Sequence, residues 1–326
     1  MIFYSRQGFA RSLLLFTLVF IKPALAQNSQ PIHVTNTLPI MIGSGLSAPK
    51  ISDITSQKSL SVDFFSRVES NANDAGSATE TLTIDGEVQS FSALGKWNFF
   101  PRWQLSIELS VLRHAAGNLD NLIREWHDFF GLDQGDRDFL PDGQFLYQYE
   151  NTDSELSAIS INDSVSGISD TELSLAYQLY SDDKINLATY ISAVLPSGDA
   201  NKLTGSDKTD FKFSLALGSR AQRIGWHASG DFIRIGDRRL FTIPTKDTTW
   251  ATSMGVHFKA SNAWRWSAQL DGHGAIFESA IDEIGGSAWQ LSLATEYRGW
   301  QMYFSEDVSV NHAADFSFGI NWRAAY

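Results

Sequence analysis

A two-residue period runs through this sequence and limits its fold more than any other feature. In the closing segment, DFSFGINWRAAY, Phe316, Phe318, Ile320, Trp322, Ala324 and Tyr326 take every second position, with Asp315, Ser317, Gly319, Asn321 and Arg323 between them. Successive side chains of a β-strand point to opposite faces, so this segment is a strand with one oily and one polar side. The pattern recurs at 60–64, 91–99, 103–111, 173–179, 185–195, 211–217, 250–258, 264–270 and 289–297. So many aromatics and charges in register, strand after strand, are unusual for a soluble sandwich.

The connections separate a protein core from lipid as the partner of the oily faces. NFFPRW, SDDK, RIGW, SNAW and YRGW read as short turns. They alternate with long polar connections at 69–79, 113–169, 197–209, 236–248 and 276–287. Short turns at one end and long loops at the other are the plan of an outer-membrane barrel. The expected fold is all-β: a transmembrane antiparallel β-barrel of about twelve strands over 59–326, with a short helix in a long extracellular loop. A closed barrel leaves no backbone group unpaired in lipid. The aromatic end of the last strand resembles the C-terminal signal read by the barrel assembly machinery, an expected partner during biogenesis.

The N-terminus agrees. Arg6 and Arg11 precede SLLLFTLVF, and ALA at 24–26 has the small-x-small pattern of a signal peptidase site. Residues 1–26 are therefore expected to be a secretory signal peptide, and the Gram-negative outer membrane the destination, with its lipid and lipopolysaccharide as surroundings. Residues 27–58 are expected to form a periplasmic or plug-like segment. No later apolar run reaches the roughly 18 residues of a membrane helix. There is no cysteine, and the net charge of −12 argues against nucleic acid. Ten tryptophans fit aromatic girdles.

Two segments carry a family resemblance: VTNTLPIMIGSGLSAPK at 34–50 and NLDNLIREWHDFFGLDQGDRDFLPDG at 118–143. Asn36, Pro39, His127, Phe130, Gly131, Leu132, Arg137 and Pro141 resemble the pattern of a family of Gram-negative exported barrels known as a domain of unknown function. That family tends to carry basic residues after the arginine, where this chain has Asp138 and Asp142. SGISDTELSLAYQLY with LPSGD at 195–199 is similar to the phenol-degradation and long-chain fatty acid transporter barrels, which implies uptake of small apolar molecules.

Residues 119–130 read as an amphipathic helix, with Leu119, Leu122, Ile123, Trp126, Phe129 and Phe130 at helical spacing, Asn118 as N-cap and Gly131 as the stop. The helix either folds over the mouth as a gate or stiffens the rim, and Trp126, His127, Phe129, Phe130 and Arg137 are its gating or ligand-binding candidates. Neighbours on a helix diverge by about 100°, so His127 and Asp128 do not form an acid–base pair; Arg137 is expected in a salt bridge or on loop carbonyls. Asp133, Asp136, Asp138 and Asp142 lack the alternate spacing of a calcium loop, broken at Leu140. Lumen-facing candidates are His227, Asp231, His257, Arg265, Asp271, His273, Glu296, Arg298 and Arg323. No Gly-x-Ser-x-Gly, His-Glu-x-x-His or phosphate loop accompanies them, and no catalytic residue, metal or cofactor is assigned. The leading expectation is a channel or transporter for small apolar or amphipathic solutes. The alternatives are an outer-membrane enzyme acting on lipid or envelope substrates, or a structural envelope protein.

Overall fold

Alternation becomes a closed sheet in the computed structural model, which describes residues 30–54, 58–152, 158–221, 223–237, 239–240, 242–308 and 312–325. The expected leader, 1–26, and the terminal Tyr326 lie outside the described residues. Twelve antiparallel strands form the wall. They are β1 (Ser59–Gly76), β2 (Glu80–Phe100), β3 (Trp103–Ala115), β4 (Thr171–Ser181), β5 (Ile185–Leu195) and β6 (Asp210–Ser219). The second half comprises β7 (Ile224–Arg234), β8 (Thr248–Lys259), β9 (Trp264–His273), β10 (Ala288–Tyr297), β11 (Trp300–Asp307) and β12 (Phe316–Ala325). Each strand pairs with its sequence neighbours, and β12 closes on β1 from Ser61↔Ala325 to Ser70↔Phe316. The expected barrel and its strand number are both observed. Among the described residues no helix is long and apolar enough to cross a membrane.

Parity sorts the wall. On β12 and β11, Phe318, Ile320, Trp322, Met302 and Phe304 point outward, while Ser317, Asn321, Gln301 and Ser305 are buried inside. All ten tryptophans sit on the outer surface. Trp97, Trp103, Trp226, Trp264, Trp266, Trp300 and Trp322 ring the short-turn end, and Trp126, Trp250 and Trp289 mark the long-loop end. An amphipathic indole is favoured where hydrocarbon meets water, so the two groups bracket the lipid-facing band.

The 69–79 connection departs from expectation. It is strand rather than loop: β1 and β2 stay paired from Ser59↔Asn98 to Gly76↔Thr81. Both faces of this stretch are polar or meet protein instead of lipid, so no oily period announces it. Residues Leu146–Asn151 add to the edge of β2, and Ala158–Ile161 add to them in turn. Val165–Ile168 pairs with the end of β3 and leads into β4 through a register step, a bulge at Ser169 and Asp170. The 113–169 connection thus holds three short strands besides its helix. This paired extension of β1 and β2 with its added strands, the overhang, carries Gly86, whose φ of 149° suits only glycine and where a Cβ would strike the Phe145 ring at 2.8 Å.

Candidate functional site

The site is the lumen, and residues 30–54 fill it. Arg323, near the short-turn end of β12, donates to the Pro31 carbonyl at 3.2 Å. The Ile32 N–H donates to Gln269 Oε1 at 2.7 Å and Gln269 Nε2 donates back to the Ile32 carbonyl at 3.0 Å. Asn36 reaches His273 at 2.9 Å at the long-loop end of β9. A single 3-10 turn at Pro39–Met41 follows, entirely buried, and the chain returns. On the way down Ser47 accepts from Lys212, Tyr190 Oη donates to the Ile51 carbonyl at 2.6 Å, and the Ile54 N–H donates to Gln178 at 2.6 Å. The segment is a hairpin that rises from the short-turn end and goes back to it.

Buried charges pin it. Glu172 on β4 accepts from Lys50 of the plug through one oxygen and from Lys212 of β6 through the other, the latter at 2.7 Å. Lys212 is fully buried. Ions inside a barrel wall are tolerated only when paired, and here one carboxylate bridges a cation of the wall and a cation of the plug. His33 meets Glu108 at 2.9 Å and stacks on Phe65 with ring centroids 3.6 Å apart.

Space remains beside the plug. A cavity of about 110 Å³ lies between it and the β1–β5 wall, with Arg67, Ser92, Ser110 and Glu172 facing Val34, Leu46, Leu112 and Val194. A second, of about 60 Å³, lies toward the short-turn end beside Asp63, Lys96, Gln104 and Arg323. His33, Phe65 and Glu108 line both, so the stacked and hydrogen-bonded His33 stands at the neck between them. The lining mixes carboxylates, cations, hydroxyls and apolar groups.

The long-loop end is closed by protein. Leu82, Ile84, Tyr147 and Tyr149 of the overhang pack with Leu38, Ile40 and Met41 of the plug and with Ile235, Ile243, Phe277 and Ile284 of the loops, all buried. Burial of each such side chain contributes about 1.5–3 kcal/mol. Glu80 ties this lid: Tyr149 Oη donates at 2.6 Å, Ser279 Oγ at 2.8 Å and the Ala280 N–H at 2.7 Å. Burial works to raise its pKa, yet these donors outweigh burial and hold the carboxyl below its ordinary range. Asp170, at the bulge, accepts from Gly198 and Ser206 and anchors the loop after β5.

Of the two placements open to the helix, over the mouth or packed against the barrel, the structure has the second. Asp120–Phe130 forms α1, capped at Gly131 in the left-handed conformation, whose N–H returns to the His127 carbonyl. Leu119, not Asn118, is the N-cap, and Glu87 accepts the N–H groups of Asn118 and Leu119 at 2.6 and 2.9 Å. Trp126 packs on Phe304 and Phe316 at 5.5 and 6.5 Å between centroids, on the outward face of β11 and β12. Since these rings belong to the lipid-facing parity, α1 lies against the outer wall and does not cover the mouth. Ile123 and His127 face the barrel; Phe129 and Phe130 remain 80% and 55% exposed.

Arg137 fastens the segment over the seam where β12 meets β1. It is 2% exposed, pairs with Asp120 and, at 2.8 Å, with Asp315, and donates to Ser70 Oγ at 3.1 Å. The salt-bridge expectation for Arg137 matches this geometry. Glu306, 3.8 Å from His127, raises the imidazole above its ordinary value. In the overhang beyond the lipid band, burial pushes Asp85 up to about 7, with nearby Asp120 and Asp142 adding to it and Arg137 opposing. The acidic loop residues are engaged locally: Asp133 accepts from Gly135, Asp136 from Asp74, and Asp142 from Arg124.

Of the lumen candidates, His227, Asp231, His257, Arg265 and His273 are buried inside. His227 bonds Gln269 at 2.9 Å, Asp271 accepts from Gln269, and Arg265 pairs with Glu296 at 3.3 Å. Arg323 and His273 bond residues 30–54 directly, while His227 and Asp271 reach them only through Gln269. Arg298 is a correction. It occupies the two-residue turn between β10 and β11 with φ 51° and lies over the Tyr297 ring at 5.2 Å, exposed outside the lumen. The alternation ends one residue before it, so parity no longer applies there. Sequence reasoning passed over Lys50, Glu108, Glu172, Lys212 and Gln269. Charges at the inward parity of strands were the available signal, because each demands a partner.

A family model described as "Protein of unknown function (DUF3187)" matches residues 13–324. No curated protein matches the chain. Among solved structures, the COG4313 outer membrane channel from Pseudomonas putida F1 is 11% identical with a TM-score of 0.54, covering 86% of this chain and 100% of that one. At that identity the likeness is one of fold. The NanC porin (10% identical, TM-score 0.45, 82% of this chain and 99% of that one) and a Pseudomonas aeruginosa FadL homologue (9%, 0.39, 91% and 99%) resemble it less.

Proposed function

The chain belongs to the DUF3187 family, and from the occupied lumen we propose that this member is an outer-membrane channel for small amphipathic solutes, held shut by residues 30–54. The observation that carries the reading is the pair of cavities flanking the plug, with His33 between them. Their lining suits a molecule with an apolar body and one or two polar groups, since both hydrogen-bonding and apolar walls are within reach. The short turns face the periplasm and the long loops face outward, as in barrels of this plan. Conduction requires the plug to shift, widening the side that already holds space.

Reconstitution of the purified protein into liposomes, with influx of small amphipathic solutes compared against sugars, tests this. Faster entry of the amphipathic solutes, raised further when plug contacts are weakened, is expected. Absence of flux in both the parent and the plug-weakened protein would refute it.

A further inference from the structure

Two cross-strand rows meet on the outer wall near the long-loop end. Phe91↔Val111↔Ile168 is apolar, with exposures of 49%, 49% and 56%. One outward step higher, Gln89↔Arg113↔Ser166 is polar and exposed on all three strands. Together with β1 and with Phe318 and Ile320 of β12 they line a groove of about 910 Å³. Another step up the strand, Glu87 receives the Asn118 and Leu119 N–H groups of the segment leading into α1. The Arg113 side chain makes no ion pair or hydrogen bond among the described residues.

We propose that this groove binds a phosphate-bearing acyl glycolipid of the outer leaflet, its acyl chain along Phe91, Val111 and Ile168 and its phosphate on Arg113, with Gln89 and Ser166 beside it. The groove is continuous with the lipid-facing band, which supplies acyl chains to it. The guanidinium stands at the row where apolar surface gives way to polar, the depth at which a lipid phosphate lies. Guanidinium is matched in shape and charge to a phosphate and binds it through charge-assisted hydrogen bonds. The outer-leaflet assignment rests on the orientation with long loops outside the cell, and it is independent of whether the barrel conducts.

Native mass spectrometry of the detergent-purified full chain tests it, titrated with a monophosphorylated acyl glycolipid, its dephosphorylated form and phosphatidylglycerol. The phosphorylated glycolipid should bind the parent best. Arg113→Gln should weaken it about tenfold, the size of one charge-assisted contact, and leave the dephosphorylated form unchanged. Arg113→Lys should retain more than half of that loss. Phe91→Ala with Ile168→Ala should weaken both glycolipids. Equal binding of the phosphorylated and dephosphorylated forms by the parent, or no effect of Arg113→Gln, would overturn the site; equal binding of phosphatidylglycerol would overturn its assignment to a glycolipid.

Discussion

Replacing Glu172 by Gln should open the barrel. The carboxylate is the only anion directly bonded to both Lys50 and Lys212 among the described residues, and Ser174 Oγ also donates to it at 2.8 Å. The substitution keeps the shape and the hydrogen bond from Ser174 but leaves two ammonium groups facing a neutral amide in a buried place. Breaking a buried ion pair in this way costs about 3–5 kcal/mol. Opposing that loss, the remaining plug contacts at Gln269, His273, Tyr190 and Gln178 contribute roughly 1 kcal/mol each. The plug therefore stays partly docked, while the ratio of open to closed barrels rises by about two to three and a half decades. Lys50→Met together with Glu172→Gln leaves one stranded cation instead of two, and should recover part of the closure. Single-channel recording in planar bilayers measures the open probability directly. An unchanged open probability in a barrel that is still heat-modifiable, with residues 30–54 as protected from hydrogen exchange as in the parent, would refute the reasoning.

Four further outcomes follow from the same geometry. His33→Ala removes the stacked ring at the neck and should raise amphipathic-solute influx severalfold without lowering thermal stability by more than a few degrees. Arg137→Ala strands Asp120 and Asp315 and should cost about 3–5 kcal/mol of docking, making 117–145 the first site of limited proteolysis. Changing Trp126 and Phe130 together to Ser should leave flux unchanged, because α1 lies outside the wall; increased flux would restore a gating role. Docking of 117–145 should also weaken as pH rises. His127, facing Glu306, Asp315 and Arg137, has a raised value, so its contribution is present in acid and lost as pH climbs through that value. Asp85, facing Asp120, Asp142 and Arg137, is pushed up to about 7, so the docking that relies on its neutral form is lost as pH rises from the ordinary carboxylate range through about 7, in the same direction. Hydrogen exchange of 117–145 at pH 6 and pH 8, corrected for intrinsic rates, should show lower protection at pH 8; a flat or reversed profile contradicts it.

The lipid-facing wall was legible because lipid enforces a strict period, as at Trp264, Trp266 and Leu270 or Phe318, Ile320 and Trp322, and the alternation of short turns with long loops then assigned the oily face to lipid. The overhang was not legible, since Glu69, Asn71 and Asn73 alternate with residues that never meet hydrocarbon. Lumen parity located His227, Asp231 and His273, but nothing local indicates that Gln269 grips Ile32, a residue 237 positions away. Helix α1 announced its apolar stripe, yet an oily face fits the mouth and the outer wall equally. Only the outward parity of Phe304 and Phe316 decides between them.

Residues 30–54 enter and leave through the same mouth, and this has a topological consequence. A segment that traversed the lumen from end to end would be threaded, removable only by opening the seam between β12 and β1 or by unfolding the wall. A hairpin anchored at one end can slide out toward the periplasm with every strand pair intact, breaking its contacts in order from Asn36 and Ser47 down to Pro31 and Ile54. Under the proposed function, traction from the periplasmic side would unstop the barrel reversibly, and the paired wall would remain a passive cylinder throughout.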